Sequence, residues 1–380
     1  TGSISLAMPN LGPKLVTKII LLGESYGENE AKISAPFVGS SGIELLRMLD
    51  ESGIIELTSA DQDYINKYYR EGSPLFLDMI WRLHPELHRT NVFMQHPPGN
   101  RIEWFCGGKA EAIRGYPSLI KAKHVRREFI PELERLADEI IEHNPNLIIC
   151  LGNSALWALL GQTGISKLRG TTFLSTHTAT GFKCLATYHP AAVLRQWELR
   201  PVTVIDLQKA KREAEYAELR RPKREIWIEP EIEDIERFYH EHIISCRGLS
   251  VDIETSGNQI TCIGFSPAPG LAIVVPIKDR RRKNGNYWPD LASESKAWQI
   301  IREILGRRDV PKTFQNGLYD IAFLWRAYGI KVYGATEDTM LLHHALQPES
   351  LKGLGFLGSV YCDEGAWKHM RKTETIKRDE

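Results

Sequence analysis

Short continuous apolar runs, each followed by a polar segment, are the main pattern in the first half of the chain. Three of them, 18–23, 146–152 and 184–188, have the length of strands. Strands that are apolar at every position are typical of parallel sheets, because helices cover both faces of such a sheet. An amphipathic stretch at 128–144 predicts one of these helices. The pattern therefore predicts a parallel-sheet α/β/α domain.

Less regular stretches complete this half. We predict helices near 43–52, over 58–90 and at 154–160, a short strand at 91–94, and a charged helix at 206–219. Arg220-Arg221-Pro222 ends the last helix, since proline cannot continue a helix. We therefore expect domains at 1–222 and 223–380, joined by a semi-rigid helical connection.

The second half has a different pattern, in which short strands follow one another with only turns between them. Strands at 249–254, 259–266 and 271–277 are close enough in sequence to pair in antiparallel fashion. The remaining predicted elements are strands at 225–228 and 310–314 and helices at 232–244, 293–305, 320–328 and 338–346. A mixed sheet flanked by helices is the expected architecture.

Composition and charge limit the cellular compartment and the kinds of partner expected for this chain. The 48 basic and 48 acidic residues cancel, although basic clusters at 219–224 and 278–283 suit either phosphate contacts or solvated loops. Six cysteines without Cys-x-x-Cys spacing indicate a reducing, intracellular compartment. No apolar run approaches the ~18 residues of a membrane span, and we expect no signal peptide. We expect a cytoplasmic protein with no membrane partner.

Polar side chains follow the predicted strands of the first half. Glu24, Asn91 and His189 each lie at or just after the end of a strand. Ligands of parallel α/β folds bind at this edge of the sheet, so the three side chains could position water, contact a base edge and stabilise a leaving anion. Taken singly, Glu24 is equally well explained as a loop acid, Asn91 as a turn former and His189 as a polar side chain with a hydrogen-bond partner inside the protein.

Two acids mark the second half. Asp252 and Glu254 are two positions apart on a predicted strand, so both side chains point to the same face. Two neighbouring carboxylates do not both stay ionised without a cation, which makes a metal site one interpretation. A solvated strand end is the other.

A set of ordered motifs in the first half resembles uracil-DNA glycosylases of the iron–sulfur class. The motifs are Gly23–Glu30, Pro36–Gly39, Thr90–Val92, Pro97–Arg101, Leu151–Ala155, Lys167–Gly170 and Thr187–Arg195. The resemblance implies a uracil-DNA glycosylase-like fold and uracil-containing DNA as substrate. It implies that Glu24 orients the attacking water or stabilises the sugar cation, and that His189 stabilises the uracil anion. Phe37 would stack on the flipped uracil, and Asn91 would hydrogen-bond its edge. Leu194 and Arg195 would lie in the loop that fills the duplex after the base has flipped out.

This half departs from the family pattern at two points. Tyr26 occupies a position where the family has proline, so its phenol is expected to reshape or obstruct the base pocket. The cluster cysteines are missing, since Gln95-His96 precedes the Pro-Pro pair and only Cys106 lies nearby. We therefore predict no iron–sulfur cluster. A domain that only binds DNA or a replication protein is the alternative to an active glycosylase.

The second half resembles the 3′–5′ proofreading exonuclease domain of family A DNA polymerases. Asp252–Thr255, Asn316–Asp320, Glu337–Met340 and Ser350–Leu354 carry the resemblance. It implies a ribonuclease H-like fold, single-stranded 3′ ends as substrate and two Mg²⁺ or Mn²⁺ ions. Asp252 would bridge both ions, Glu254 would bind one and Asp320 would hold the second, whereas Asn316 and Tyr319 would contact the substrate strand.

The third motif of that family, Tyr-x-x-x-Asp, is not found after Asp338. Asp363 and Asp379 are possible substitutes for its acid. The pattern suggests the N-terminal part of a larger phage-type DNA polymerase, with a polymerase domain beyond residue 380. A stand-alone repair glycosylase and nuclease is the alternative.

Overall fold

The computed structural model describes residues 17–71, 73–362 and 364. The chain divides into two compact units, one of residues 1–219 with 358–380 and the other of residues 220–357. Among the described helices, none combines the length and apolar character needed to cross a bilayer.

The first unit contains a five-stranded sheet in the order β2-β1-β5-β7-β6 and a separate two-stranded sheet, β3-β4. Its strands are β1 (Ile19–Ser25), β2 (Leu87–Phe93), β3 (Cys106–Gly107), β4 (His124–Val125), β5 (Leu147–Leu151), β6 (Thr172–Leu174) and β7 (Lys183–Thr187). The first four strands in the sheet order are parallel, and β6 is an antiparallel edge strand. All five residues of β5 and all five of β7 are buried, which explains the apolar sequence of β5 and the apolar centre of β7 at residues 184–186.

Helices surround this sheet. They are α1 (Glu28–Ile33), α2 (Ser40–Glu51), α3 (Ser59–Glu71), α4 (Pro74–Arg82), α5 (Ile130–His143), α6 (Asn153–Leu160), α7 (Ile165–Leu168), α8 (Pro190–Arg195) and α9 (Arg200–Glu213). Single 3₁₀ turns occur at Pro98–Asn100, Ile102–Phe105, Lys109–Glu111, Arg127–Phe129 and Trp197–Leu199. The predicted parallel-sheet α/β fold of this half is confirmed, with β6 as an antiparallel addition that was not predicted.

The second unit has a six-stranded mixed sheet in the order β13-β12-β9-β10-β11-β8. The strands are β8 (Glu225–Trp227), β9 (Leu249–Ser256), β10 (Gln259–Ala268), β11 (Leu271–Pro276), β12 (Lys312–Phe314) and β13 (Ala335–Asp338). Strands β9, β10 and β11 form an antiparallel meander, and the other pairings are parallel. The predicted mixed sheet is therefore confirmed.

Helices α10 (Ile232–Phe238), α11 (Leu291–Gly306), α12 (Leu318–Tyr328) and α13 (Thr339–Leu346) belong to the second unit. A π-helical turn, Tyr239–Ile243, continues α10. The last described helix is α14 (Leu354–Tyr361).

Two predicted helices have wrong boundaries. Residues 87–90 are not helical, because they pair in parallel with β1 as the first part of β2. The helix expected at 206–219 begins at Arg200 and ends at Glu213. The buried Lys183 ammonium explains this end, since it donates to the carbonyls of Glu213 (2.6 Å), Tyr216 (2.5 Å) and Glu218 (3.2 Å). These carbonyls bind a lysine instead of continuing the helix.

Candidate functional sites

A cavity of about 520 Å³ lies at the carboxyl-terminal edge of the five-stranded sheet. It brings together six of the predicted residues, which are Glu24, Tyr26, Phe37, Asn91, His189 and Arg195. Leu194 does not line the cavity and is 38% exposed on α8. Parallel strands place their carboxyl ends at one edge, which is why residues far apart in sequence meet here.

His189 lies at the N-cap of α8, directly after β7. Its Nδ1 accepts a hydrogen bond from the backbone N–H of Ala191 at 3.1 Å. An N–H group is only a donor, so Nδ1 is unprotonated and Nε2 carries the ring proton. Burial, assisted by the positive charge of Arg195, lowers the pKa of His189 to about 4. The ring is therefore a neutral imidazole with Nε2–H as its donor.

Glu24 lies near the end of β1 and is half-buried. The Ser154 hydroxyl, in the first turn of α6, donates to Glu24 Oε2 at 2.6 Å. Burial raises the pKa of the Glu24 carboxyl, and the Ser154 hydrogen bond and the charge of Arg195 oppose this rise. A carboxylate with a raised pKa is a better acceptor for a proton from water near neutral pH.

The Phe37 ring centroid is 6.2 Å from that of His189 and 6.5 Å from that of Trp81. Its backbone has a left-handed φ of 56°, and the Trp81 indole N–H donates to its carbonyl at 2.9 Å. Gly23 makes room for the ring, because a Cβ at that position would lie 2.7 Å from Phe37 Cζ and would also overlap Asn91 Oδ1. A glycine in β1 thus lets the ring and the Asn91 amide approach the strand.

Asn91 is buried in β2 opposite Gly23. The Arg135 guanidinium donates to the Asn91 carbonyl at 2.7 Å, which fixes the backbone that carries the amide. Arg135 in turn makes ion pairs with Glu132 at 2.9 Å and with Glu139. This support from α5 was not predicted from the sequence.

Glu30 joins the two loops around the cavity. Its carboxylate accepts a hydrogen bond from the Gly39 N–H at 2.9 Å, so α1 is tied to the loop that carries Phe37. Tyr26 is 7% exposed, and its hydroxyl donates to the Ser34 carbonyl at 3.1 Å. The phenol is therefore engaged by the same loop region, and Tyr26 is part of the cavity wall.

The cysteines of the first unit, which are Cys106, Cys150, Cys184 and Cys362, do not gather into the set of about four thiolates that an iron–sulfur cluster takes. Among the described residues, no three potential metal-ligating side chains meet closely enough to hold a metal ion. Cys150 and Cys184 lie within the buried strands β5 and β7. Burial raises the pKa of the Cys106 thiol to about 11, so it is held as a thiol.

The acids of the second unit lie on the exposed face of β9. Asp252 and Glu254 alternate with the buried Val251 and Ile253, so both carboxylates point to the same face. This is the arrangement predicted from their spacing.

Asp320 lies in the first turn of α12 and is 6% exposed. Its Oδ1 accepts a hydrogen bond from the Ile253 N–H at 3.1 Å, between the two acids of β9. Burial raises the pKa of the Asp320 carboxyl, and the negative charges of Asp338 and Glu254 act in the same direction. Proximity of like charges is the electrostatic condition that a bound cation relieves.

Tyr319 and Asn316 flank this acid. The hydroxyls of Tyr319 and Thr255 are 2.8 Å apart, and the Tyr319 side chain is 51% exposed. Its ring also lines a second cavity of about 500 Å³, together with Phe323 and Arg326. Asn316 is exposed and has a left-handed φ of 59°.

Asp338 fixes the start of α12, a role that the sequence did not reveal. It accepts hydrogen bonds from the N–H groups of Asn316 (3.0 Å), Gly317 (2.7 Å), Met340 (2.9 Å) and Leu341 (3.4 Å). Although burial opposes the effect, these donors hold the pKa of the Asp338 carboxyl below its ordinary value. Asp338 is therefore committed to backbone groups.

The donor chemistry of Asp252, Glu254 and Asp320 fits Mg²⁺ or Mn²⁺, which prefer oxygen ligands. Within the part of the chain that the structure describes, no three Asp, Glu, His or Cys side chains meet closely enough to hold a metal ion. Asp363 and Asp379, the predicted substitute ligands, lie outside the described residues. Oxygen ligands of the kind that Mg²⁺ and Mn²⁺ prefer are thus present, but the described residues do not form a complete coordination shell.

Both halves match known sequence families. Residues 9–219 match the family described as "Uracil DNA glycosylase superfamily", and residues 230–379 match the family described as "3'-5' exonuclease". The type-4 uracil-DNA glycosylase of Thermotoga maritima is 29% identical over 201 residues, which cover 52% of this chain and 78% of the relative. That of Sulfurisphaera tokodaii is 28% identical over 209 residues, with 53% and 72% covered.

A DNA polymerase of Bacillus phage SP01 is similar across the junction of the two halves. It is 24% identical over 266 residues, which cover 61% of this chain and 27% of the polymerase. The chain thus spans about a quarter of that relative. Among solved structures, the EXO domain of Nibbler from Aedes aegypti has a TM-score of 0.31 and 13% identity, covering 43% of this chain and 79% of that one.

Proposed function

Because the chain belongs to the uracil DNA glycosylase superfamily and joins this part to a 3′–5′ exonuclease part, we propose that its first domain, residues 1–222, excises uracil from DNA. The two family matches make the chain a hydrolase that acts on DNA. One observation carries the glycosylase proposal: a neutral His189, donating through Nε2, shares a cavity with Glu24 and Phe37.

The chemistry follows from these side chains. Uracil extruded from the strand would stack on Phe37, and the Asn91 amide would hydrogen-bond its edge. As the bond between C1′ and N1 breaks, both electrons leave with the base, and His189 Nε2–H stabilises the resulting anion. Glu24 stabilises the oxocarbenium-like sugar and accepts a proton from the water that adds to C1′. Leu194 and Arg195 on α8 would fill the space that the base leaves.

A second candidate function is a DNA-binding module without chemistry. The wall position of Tyr26 and the cysteines that do not fit a cluster favour it. The two candidates differ in product: an abasic site forms only if the first domain is a catalyst.

For the second domain, residues 223–380, we propose a metal-dependent 3′–5′ exonuclease that acts on single-stranded ends. Asp252, Glu254 and Asp320 would hold two Mg²⁺ or Mn²⁺ ions, which when bound activate water and stabilise the leaving 3′ oxygen. Tyr319 and Asn316, exposed beside Asp320, would position the terminal nucleotides of the strand.

One assay tests both proposals. A 5′-labelled single strand that contains one uracil is incubated with the protein, first in EDTA and then in Mn²⁺. An abasic product in EDTA that disappears in His189→Ala supports the glycosylase. A ladder from the 3′ end that requires metal and disappears in Asp252→Ala supports the exonuclease. Retained DNA binding without either product would favour the binding module.

We propose further that this architecture is the N-terminal part of a DNA polymerase. The alignment with the phage polymerase crosses both domains and accounts for 27% of that relative, which leaves ample length for a polymerase domain. A stand-alone repair enzyme is the competing proposal. The coding sequence after residue 380 distinguishes them, because only the first predicts a polymerase domain in the same reading frame.

A further inference from the structure

Trp197 is a large aromatic side chain that the proposed glycosylase chemistry does not use. It begins the 3₁₀ turn that follows α8, the helix that starts after His189 and carries Arg195. Its side chain is 59% exposed. Single exposed apolar side chains are common on protein surfaces, so what distinguishes Trp197 is its position two residues after Arg195, which lines the cavity.

The ring is held in place by a network of charges. The Arg200 guanidinium lies over the Trp197 ring at 5.2 Å, as in a cation–π contact. Arg200 is itself fixed by Glu44, which is 1% exposed and 2.8 Å away, and by Glu51 at 2.5 Å. The indole is thus an exposed platform with a rigid support, which lowers the entropy cost of binding a flat ligand.

The location of the platform identifies the ligand. Arg195 on α8 lines the cavity, and Trp197 is two positions further along the chain, so their Cα atoms are at most about 7 Å apart. Stacked nucleotides advance about 3.4 Å along a strand, which places Trp197 within about three nucleotides of a base in the cavity. Unpaired bases stack readily on exposed aromatic rings.

We propose that Trp197 stacks on an unpaired nucleobase of the substrate strand, within about three nucleotides of the base held in the cavity. The inference rests on the proposed glycosylase function, because the cavity must hold a base for the neighbouring base to reach the platform. Trp197 would bind substrate without taking part in bond cleavage.

Binding is measured by fluorescence anisotropy in EDTA, with a labelled single strand of about 15 nucleotides that carries 2′-fluoro-deoxyuridine. The electron-withdrawing fluorine destabilises the oxocarbenium-like transition state and so slows cleavage. Trp197→Ala is expected to raise Kd about 5- to 150-fold, the range for loss of one base–aromatic stack. Trp197→Phe, which keeps a ring, is expected to stay within about 3-fold of the wild type. Ile141→Ala is the control, because Ile141 is also 59% exposed and does not line the cavity.

A double-mutant cycle separates stacking from a general loss of affinity. An abasic analogue is moved through the three nucleotides on each side of the fluorouridine. At the stacked position, Trp197→Ala should have no further effect, because the base it would contact is already gone. If Trp197→Ala raises the Kd of every oligonucleotide to the same extent, or raises the Kd of none, the proposal is overturned.

Uracil release by the wild type in EDTA is measured separately with deoxyuridine in the strand. A protein that binds but releases no uracil counts against glycosylase chemistry, whereas the coupling between Trp197 and one base still decides whether the platform stacks.

Discussion

Asp320 Oδ1 accepts a hydrogen bond from the backbone N–H of Ile253 at 3.1 Å. Ile253 lies between Asp252 and Glu254 on β9, so this bond ties the start of α12 to the strand segment that carries both acids. The carboxyl has a raised pKa, first because it is buried and also because Asp338 and Glu254 are negative. A divalent cation bound beside these acids would stabilise their ionised forms.

Asp320→Asn should abolish metal-dependent digestion while the fold survives, because the amide oxygen can still accept the Ile253 hydrogen bond. We expect at least about a 100-fold loss of the 3′ ladder in Mn²⁺. Thermal melting provides a readout without turnover, since Mn²⁺ should raise the Tm of the wild type more than that of the variant. Equal Tm shifts would mean that Asp320 does not bind the ion.

Asp338→Ala should destabilise the second unit by about 1–3 kcal/mol, because backbone donors lose their acceptor. The lost bonds include those that hold Asn316 in its left-handed conformation, so exonuclease activity should fall with stability. Urea unfolding and the 3′ ladder measure the two effects. Asp338→Asn retains one acceptor oxygen and should lie between the wild type and the alanine variant. If Asp338→Ala unfolds at the same urea concentration as the wild type, Asp338 does not stabilise the second unit.

The sequence predicted elements where one local cause dominates and missed those that depend on distant partners. Strand β5 and the centre of β7 were evident because burial on both faces favours continuous apolar runs, whereas the buried Lys183 at the start of β7 was not part of the predicted strand. The start of β2 was missed because pairing with β1 overrides its helical pattern. The end of α9 was missed because it depends on Lys183, which lies 30 positions before Glu213.

The same distinction applies to the candidate sites. Glu24, Asn91 and His189 could be selected because each follows a strand and belongs to an ordered motif. Ser154 was within a motif, but its bond to Glu24 spans 130 positions, and no local pattern specifies such a contact. The role of Asp338 also depends on tertiary structure, since two of its donors come from the segment before α12.

His189 should remain neutral throughout the physiological pH range. Burial and the charge of Arg195 lower its pKa from 6.5 to about 4, and the Ala191 N–H keeps the proton on Nε2. The ¹⁵N chemical shifts of the ring should therefore be those of the Nε2–H tautomer down to about pH 5. Titration near pH 6.5 would show that the folded protein does not lower this pKa and that a large part of the rings is cationic near neutral pH, which would contradict a permanently neutral donor.

The lowered pKa of His189 also predicts a change in stability. The unfolded chain takes up a proton near pH 6.5, whereas the folded ring does so only near pH 4. The unfolded state therefore binds more protons in this window, and the free energy of unfolding should decrease as pH falls from 6.5 to 4. His189→Gln lacks the titrating group, so its stability should fall less over the same window in urea titrations.

Ser154→Ala should shift the pH profile of uracil release. The Ser154 hydroxyl stabilises the ionised form of Glu24, so its removal should raise the pKa of this carboxyl further above its ordinary value. If Glu24 acts as the base, the acidic limb of kcat/KM should move to higher pH. Glu24→Gln removes the titrating carboxyl, so its kcat/KM profile should lack this acidic limb. An unchanged limb in Ser154→Ala would assign it to another group.

Gly23→Ala should disable the base pocket through packing. The new methyl group would lie 2.7 Å from Phe37 Cζ and would overlap the Asn91 amide, so both groups must move. We expect a loss of about 1–3 kcal/mol of stability and of most uracil release, as for other overpacked sites. Gly108→Ala is a matched control, because a Cβ there meets nothing within 4 Å and its φ of −74° suits alanine. Normal uracil release by Gly23→Ala, with product quantified after alkaline cleavage, would show that Phe37 and Asn91 do not form the base-binding surface.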